Sequence, residues 1–217
     1  VGGWGDTTEP GEPPEGGKPV KVRRWFPETL YVDPAVITDA QGKASVDIPL
    51  ADSITQWRVT GLANAVSGRL GTVVHGVTVF QDFFVDPDLP ATYTRGDEVT
   101  FPVAVYNYLD KAQAVTVSLE PGSWYTALGP LDQSITVPAD SVDAVHFSIK
   151  LTKAGLHLLT VTAVGPDAQD AIARKVRVEP GGRPVTVSHS GSTASGGQGT
   201  LWIPGDTIEG SARAVLK

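Results

Sequence analysis

The sequence contains no cysteine and no methionine. Without a thiol there is no disulfide, no cysteine nucleophile and no thiolate metal ligand. The missing cysteine does not assign a compartment, because exported bacterial chains also fold without it. The missing methionine makes residues 1–217 read as an excised part of something longer. Positive charge is short too: 17 Lys and Arg against 24 Asp and Glu leave a formal net charge of −7. That balance argues against nucleic acid as a partner, which needs a basic face. No apolar run reaches the length of a membrane span, and no charged-then-apolar leader opens the chain.

Signatures of chemistry are missing as well. His75, His146, His157 and His189 show no metal-ligand spacing such as HExxH. His146 and His157 read as solvent-facing strand residues. No GxSxG nucleophile elbow occurs. "SHSGSTASGGQG" at 188–199 has neither the lysine nor the strand–loop–helix setting of a phosphate loop, and reads as a hairpin tip. Asp82, Asp86, Asp88 and Asp97 match no calcium-loop spacing and read as solvated linker carboxylates. We therefore expect no catalytic residue, no cofactor and no metal. Trp25, Phe26, Phe83, Phe84, Tyr106 and Tyr108 offer the makings of a ligand platform. In a strand-rich chain they read better as core and interface packing.

What the sequence does contain is alternation. The first 19 residues, "VGGWGDTTEPGEPPEGGKP", hold ten Gly or Pro and four acidic residues. They bury too little surface to offset ordering entropy and read as a tether. From Val20 onward apolar residues recur with period two: Ala44, Val46, Ile48 and Leu50; Phe101, Val103 and Val105; Val115, Val117 and Leu119. The pattern continues in Val145, Phe147, Ile149 and Leu151, in Leu159, Val161 and Ala163, and in Val176 and Val178. Period two over short runs means strands with one buried face. Turn signals separate them, among them "DAQG" at 39–42, "TRGD" at 94–97 and "PAD" at 138–140. The best helix candidate, "DAQDAIARKV" at 167–176, sits where 156–164 needs a hairpin partner. The fold class is all-β, an antiparallel sandwich. "FVDPDLP" at 84–90 breaks the alternation, since Pro87 and Pro90 cannot donate to a ladder, and places a boundary near 82–90. "EPGGRP" at 179–184 places another. Between them a seven-stranded sandwich is expected over 88–180.

Several phrases are more specific. "VRRWFPETLYVDP" at 22–34 resembles the segment after the bait region in the alpha-2-macroglobulin family, matched by Arg23, Arg24, Trp25, Phe26, Pro27 and Glu28. "ITDAQGKASVDIPLADSITQWRVTGLA" at 37–63 resembles the family's next stretch, with Ala51 in place of the usual Pro and with Asp52, Ser53, Ile54, Thr55 and Trp57 matching. "FQDFFVDPDLPATYTRGD" at 80–97 resembles the join between two macroglobulin domains. "VYNYL" at 105–109 resembles the following strand and "VEPGG" at 178–182 the end of that domain. "IPGDTIEGSARAVLK" at 203–217 resembles the strand leading into a thioester domain. The spacing of "ITDAQGKAS" and the absent cysteines are closer to bacterial members of the family than to vertebrate ones.

The resemblance implies a layout of four parts. Residues 1–19 would be a tether or the edge of a bait region. Residues 20–82 would be the second part of a macroglobulin domain, 83–182 a complete one, and 183–217 the first strands of a CUB-like domain. It implies a structural and coupling fragment of a protease-trapping, complement-like protein that is not itself an enzyme and lies outside the cell, in the periplasm or at the cell surface. Its partners would be target proteases, met through the full-length protein, and the other domains of the parent chain, including a thioester domain. The rival reading is a stand-alone extracellular sandwich for adhesion or ligand binding. Basic residues beside a Pro/Gly-rich tether suit trypsin-like enzymes, so Lys21, Arg23 and Arg24 form a candidate protease-sensitive junction, while Pro19 protects the bond after Lys18. A thioester needs a cysteine, and none lies in this chain.

Overall fold

The computed structural model describes residues 20–188, 190, 191, 196, 200, 202–209 and 211–215. The tether at 1–19, His189 and most of the Ser/Gly-rich stretch lie outside the described residues. Twelve strands and no helix occur among the described residues. They are β1 (Val22–Arg23), β2 (Thr55–Asn64), β3 (Leu70–Val79), β4 (Phe83–Pro87), β5 (Thr92–Thr94), β6 (Glu98–Asn107), β7 (Gln113–Leu119), β8 (Tyr125–Ala127), β9 (Asp132–Val137), β10 (Ser141–Leu151), β11 (Gly155–Val164) and β12 (Gln169–Glu179).

Two sheets form a sandwich. One runs β1–β12–β11–β7–β9, with β5 also on β12; the other runs β4–β6–β10–β8. The long pairings are antiparallel, with Val103 opposite Val145, Phe101 opposite Phe147 and Val161 opposite Ile172. Only the two short strands on the free edge of β12 are parallel: β1 lies beside Ala171–Ile172 and β5 beside Arg177–Glu179. Every alternating run expected between 101 and 178 turns its apolar parity inward, and Val85, Val103, Val105, Val117, Phe147, Val161 and Ile172 form a single core. From Gln169 the helix candidate at 167–176 is strand, not helix, and makes the expected hairpin with β11. Gly42 and Gly96 adopt positive φ in the DAQG and TRGD turns, a conformation open to glycine at no steric cost.

Three expectations change. The two sheets use ten strands, the nine from β4 to β12 together with β1, where seven were expected over 88–180. Two-residue β1 and three-residue β5 and β8 are too short to show a period, and β4 lies before residue 88, with its Pro87 at a sheet edge where its missing N–H costs no ladder bond. Residues 44–50 alternate in sequence yet form no strand and are largely exposed. No neighbouring strand lies beside them among the described residues, and an alternating segment without a ladder partner has nothing to pair with. His157 is half-buried rather than solvent-facing, because its ring stacks on Trp124 at 4.9 Å and 1°.

Strands β2 and β3 form a separate two-stranded sheet. Its register puts Trp57, Val59, Ala63, Val73, His75 and Val77 on one face, and Gln56, Arg58, Thr60, Leu62, Leu70, Thr72, Val74 and Thr78 on the other. Both faces expose apolar side chains: Val59 and Val73 are 43% and 64% exposed on one, Leu62 and Val74 76% and 54% on the other.

The contrast between the two parts is measurable. Phe147→Ala, in the core, should cost about 3–5 kcal/mol in denaturant unfolding. Val46→Ala, in the exposed alternating segment, should stay within about 0.5 kcal/mol.

Candidate functional site

The segment after residue 19 is held by a clamp of two carboxylates. Arg23 lies in β1, and its side chain reaches across the open side of the sandwich. Its Nε donates to Asp170 Oδ1 at 3.1 Å, and its Nη2 donates to Asp170 Oδ2 at 2.8 Å. The same Nη2 donates to the Val85 carbonyl at 2.7 Å, while Val85 N–H donates to Asp170 Oδ2 at 3.0 Å. The pair thus satisfies both outward-facing backbone groups of Val85 on β4, the edge strand of the opposite sheet. One side chain from β1 and one from β12 clasp the two sheets together. Arg23 is 7% exposed and Asp170 is 1% exposed. Paired, bidentate and hydrogen-bonded geometry is what allows such charges to stay buried.

Asp52 is the second carboxylate. It accepts from Lys21 Nζ at 2.9 Å and from the backbone N–H of Arg24 and Trp25 at 3.0 and 3.1 Å. Its own N–H donates to the Trp25 carbonyl at 3.0 Å. Burial opposes the charged form of Asp52, but the donors from Lys21, Arg24 and Trp25 outweigh it and hold the carboxyl below the ordinary 3.8. A cleft of about 260 Å³ opens where Val20–Arg23, Ala51–Ile54 and Val79–Gln81 meet.

Aromatic packing completes the junction. The Arg174 guanidinium sits 4.0 Å from the Phe26 ring centroid and donates to Asp86 at 3.0 Å. Arg23 lies 6.0 and 5.9 Å from the Phe26 and Phe84 centroids. Phe84 stacks on Tyr106 at 4.4 Å and 11°, and Phe80 meets Tyr108 at 5.4 Å. Phe83 is buried in the core, whereas Trp25 and Tyr108 are 43% and 42% exposed. These rings pack strands and segments against each other.

The three basic residues of the junction therefore have different surroundings. The Lys21 side chain is 84% exposed and tethered to Asp52; Arg24 is exposed, with its backbone held; Arg23 is buried. The aspartates near 82–97 do not converge: Asp86 faces Arg174, and Asp97 caps the N–H of Thr94. Among the described residues, no group of three His, Cys, Asp or Glu is placed to hold a metal, and no helix is long and apolar enough to cross a membrane. Asp170 went unrecognised in the sequence, and Asp52 appeared there only as part of a phrase. Partners separated by 147 and 28 positions leave no local spacing to read.

The fold is thus an antiparallel β-sandwich of macroglobulin type, with a separate two-stranded hairpin and a clamped leading segment. Residues 29–119 match the Alpha-2-macroglobulin family. "Venom factor" from Crotalus adamanteus is 32% identical over 169 residues, a match covering 73% of this chain and 10% of that protein. The chain carries an alpha-2-macroglobulin family domain and is alpha-2-macroglobulin-like; it spans about a tenth of the length of this curated relative. Arg23 and Asp170 both lie outside the residues matched by the family.

Removing Asp170 strands a buried guanidinium, so Asp170→Asn should cost about 3–5 kcal/mol in unfolding experiments. Lys21→Ala, which breaks an exposed pair, should cost about 1 kcal/mol or less. The Asp52 carboxyl is more acidic when docked than when released. Its contribution to docking is therefore complete above the ordinary 3.8 and fades as pH falls through the depressed value. The protection of the Arg24 and Trp25 amides, measured relative to their intrinsic exchange rates at each pH, should fall over that window, and Asp52→Asn should remove that change in protection.

Proposed function

We propose that this chain is a structural and coupling part of an alpha-2-macroglobulin-like endopeptidase inhibitor, and not an enzyme. The observation that carries the reading is the clamp. It ties the segment immediately after residues 1–19 to a rigid sandwich through Asp52, Asp170 and the edge of β4. If a protease cuts an exposed bait in or before residues 1–19, the new chain end stays anchored to the sandwich. Movement then passes into packed elements that shift as units. Capture itself would need a thioester elsewhere in the parent protein, because a thioester is a cysteine sulfur acylated by a glutamine side chain and this chain has no cysteine.

On this reading residues 20–82 complete a macroglobulin domain whose other strands come from elsewhere in the parent. The exposed apolar side chains of β2–β3, among them Val59, Leu62, Val73 and Val74, and the unpaired alternation at 44–50 support that assignment. Residues 83–182 would be a full macroglobulin domain and 183–217 the start of a CUB-like one. The parent would act outside the cell, in the periplasm or at the cell surface, with proteases and its own thioester domain as partners. A bacterial-type parent fits the lack of cysteine and the "ITDAQGKAS" spacing.

Digestion with a broad-specificity protease, followed over time by mass spectrometry, tests the bait-edge reading. The first cuts should fall before Val20 and leave 97–180 intact. Early cuts within 97–180, with residues before Arg24 surviving, would refute it. Mixed with an active protease, the isolated chain should yield no adduct that survives boiling in detergent. A stable adduct, or stoichiometric inhibition by this chain alone, would overturn the coupling role.

A further inference from the structure

Deepening the reading of a protease-cut segment before Val20, we propose that the two-carboxylate clamp is a proteolytic guard that shields the three basic bonds after Lys21, Arg23 and Arg24. A trypsin-like protease needs two things from a substrate. It needs a basic side chain free to enter its specificity pocket, and it needs several residues of backbone extended and free to pair with the enzyme as an added strand.

The clamp withholds both, in different proportions at each position. Arg23 offers no side chain, because Asp170 and the Val85 carbonyl occupy its guanidinium and it is 7% exposed. Lys21 and Arg24 do present their side chains to solvent. Their flanking backbone is what is unavailable: Val22 and Arg23 pair with Ala171 and Ile172 of β12, and the N–H groups of Arg24 and Trp25 donate to Asp52. The Trp25 carbonyl is taken by the N–H of Asp52. Cleavage at any of the three bonds therefore requires local opening of β1, and the cutting rate follows the population of that open form. Arg213 provides the contrast, since it is exposed in a stretch without strand; Lys43 is exposed as well, but its N–H donates to Asp39 and its carbonyl accepts from the Asp39 N–H, so it serves only as a site outside the clamp. The guard fixes where cutting stops: protease acting upstream cannot advance past Val20 and detach the anchored segment.

The test is a trypsin time course on the whole chain, with the rate at each bond read by mass spectrometry. Asp52→Asn and Asp170→Asn are suitable variants because they keep every basic residue. In the unaltered chain, the bonds after Lys21, Arg23 and Arg24 should be cut at least about tenfold more slowly than the bond after Arg213. Asp52→Asn should raise the rates after Lys21 and Arg24 by about tenfold or more while leaving the rate after Lys43 unchanged. Asp170→Asn should release all three bonds. If it unfolds the sandwich instead, new early cuts will appear after Lys150 and Arg177, and Asp52→Asn, which lies outside the core, then decides. Cutting after Lys21 or Arg24 as fast as after Arg213 in the unaltered chain, or rates unmoved by Asp52→Asn, would overturn the guard. These rates are independent of whether a broad-specificity protease cuts first before Val20, so the guard and the bait-edge reading fail separately.

Discussion

The structure depends on one buried ion pair at the open side of a sandwich. Two sheets packed face to face leave edges, and an edge strand carries N–H and C=O groups that must find partners. Here β4 and β12 meet along such an edge, and the Arg23–Asp170 pair satisfies the Val85 backbone while joining both sheets. A hydrophobic contact would bury area there but leave those two polar groups unmet. A guanidinium suits the position because its fork can serve a carboxylate and a carbonyl at once. The requirement also explains why a segment with only two strand residues is held at all. The β1 ladder is minimal, and the side chains below it fix its place.

That constraint links the parts of the chain. Asp52 lies just before the β2–β3 hairpin, Asp170 opens the last strand of the sandwich, and both grip residues 21–25. Phe26 extends the grip by lying over Arg174, which in turn holds Asp86 of β4. The leading segment, the approach to the hairpin and the sandwich edge therefore meet in one network. Members of such a network do not act additively, and disturbance at one reaches the others through discrete repacking.

Period-two alternation predicted the sandwich core because each run there has ladder neighbours and an opposing sheet, so parity alone decides which side chains turn inward. Phe147, Val161 and Ile172 follow that rule. The same signal failed at Ala44–Leu50, where the pattern is equally regular but no strand stands alongside. It also missed β5 and β8, whose three residues show no period. The site was less legible than the fold. Arg23 stood out as a basic residue beside a tether, a setting that suggests exposure, and the structure buries it. Its partner is far away in sequence, inside a stretch whose alanines resembled a helix. Buried pairs between distant strands arise from topology, and topology is not written in local spacing.

A double-mutant cycle on Arg23→Leu and Asp170→Leu, read by denaturant unfolding, measures the clamp most directly. Each single change should be strongly destabilising because it leaves a buried charge unpaired. The double change, which removes both, should restore much of the loss and give a coupling energy of about 2–3 kcal/mol. Additivity within about 0.5 kcal/mol would contradict the account, because it would mean that the two side chains do not hold the segment and the sheets together.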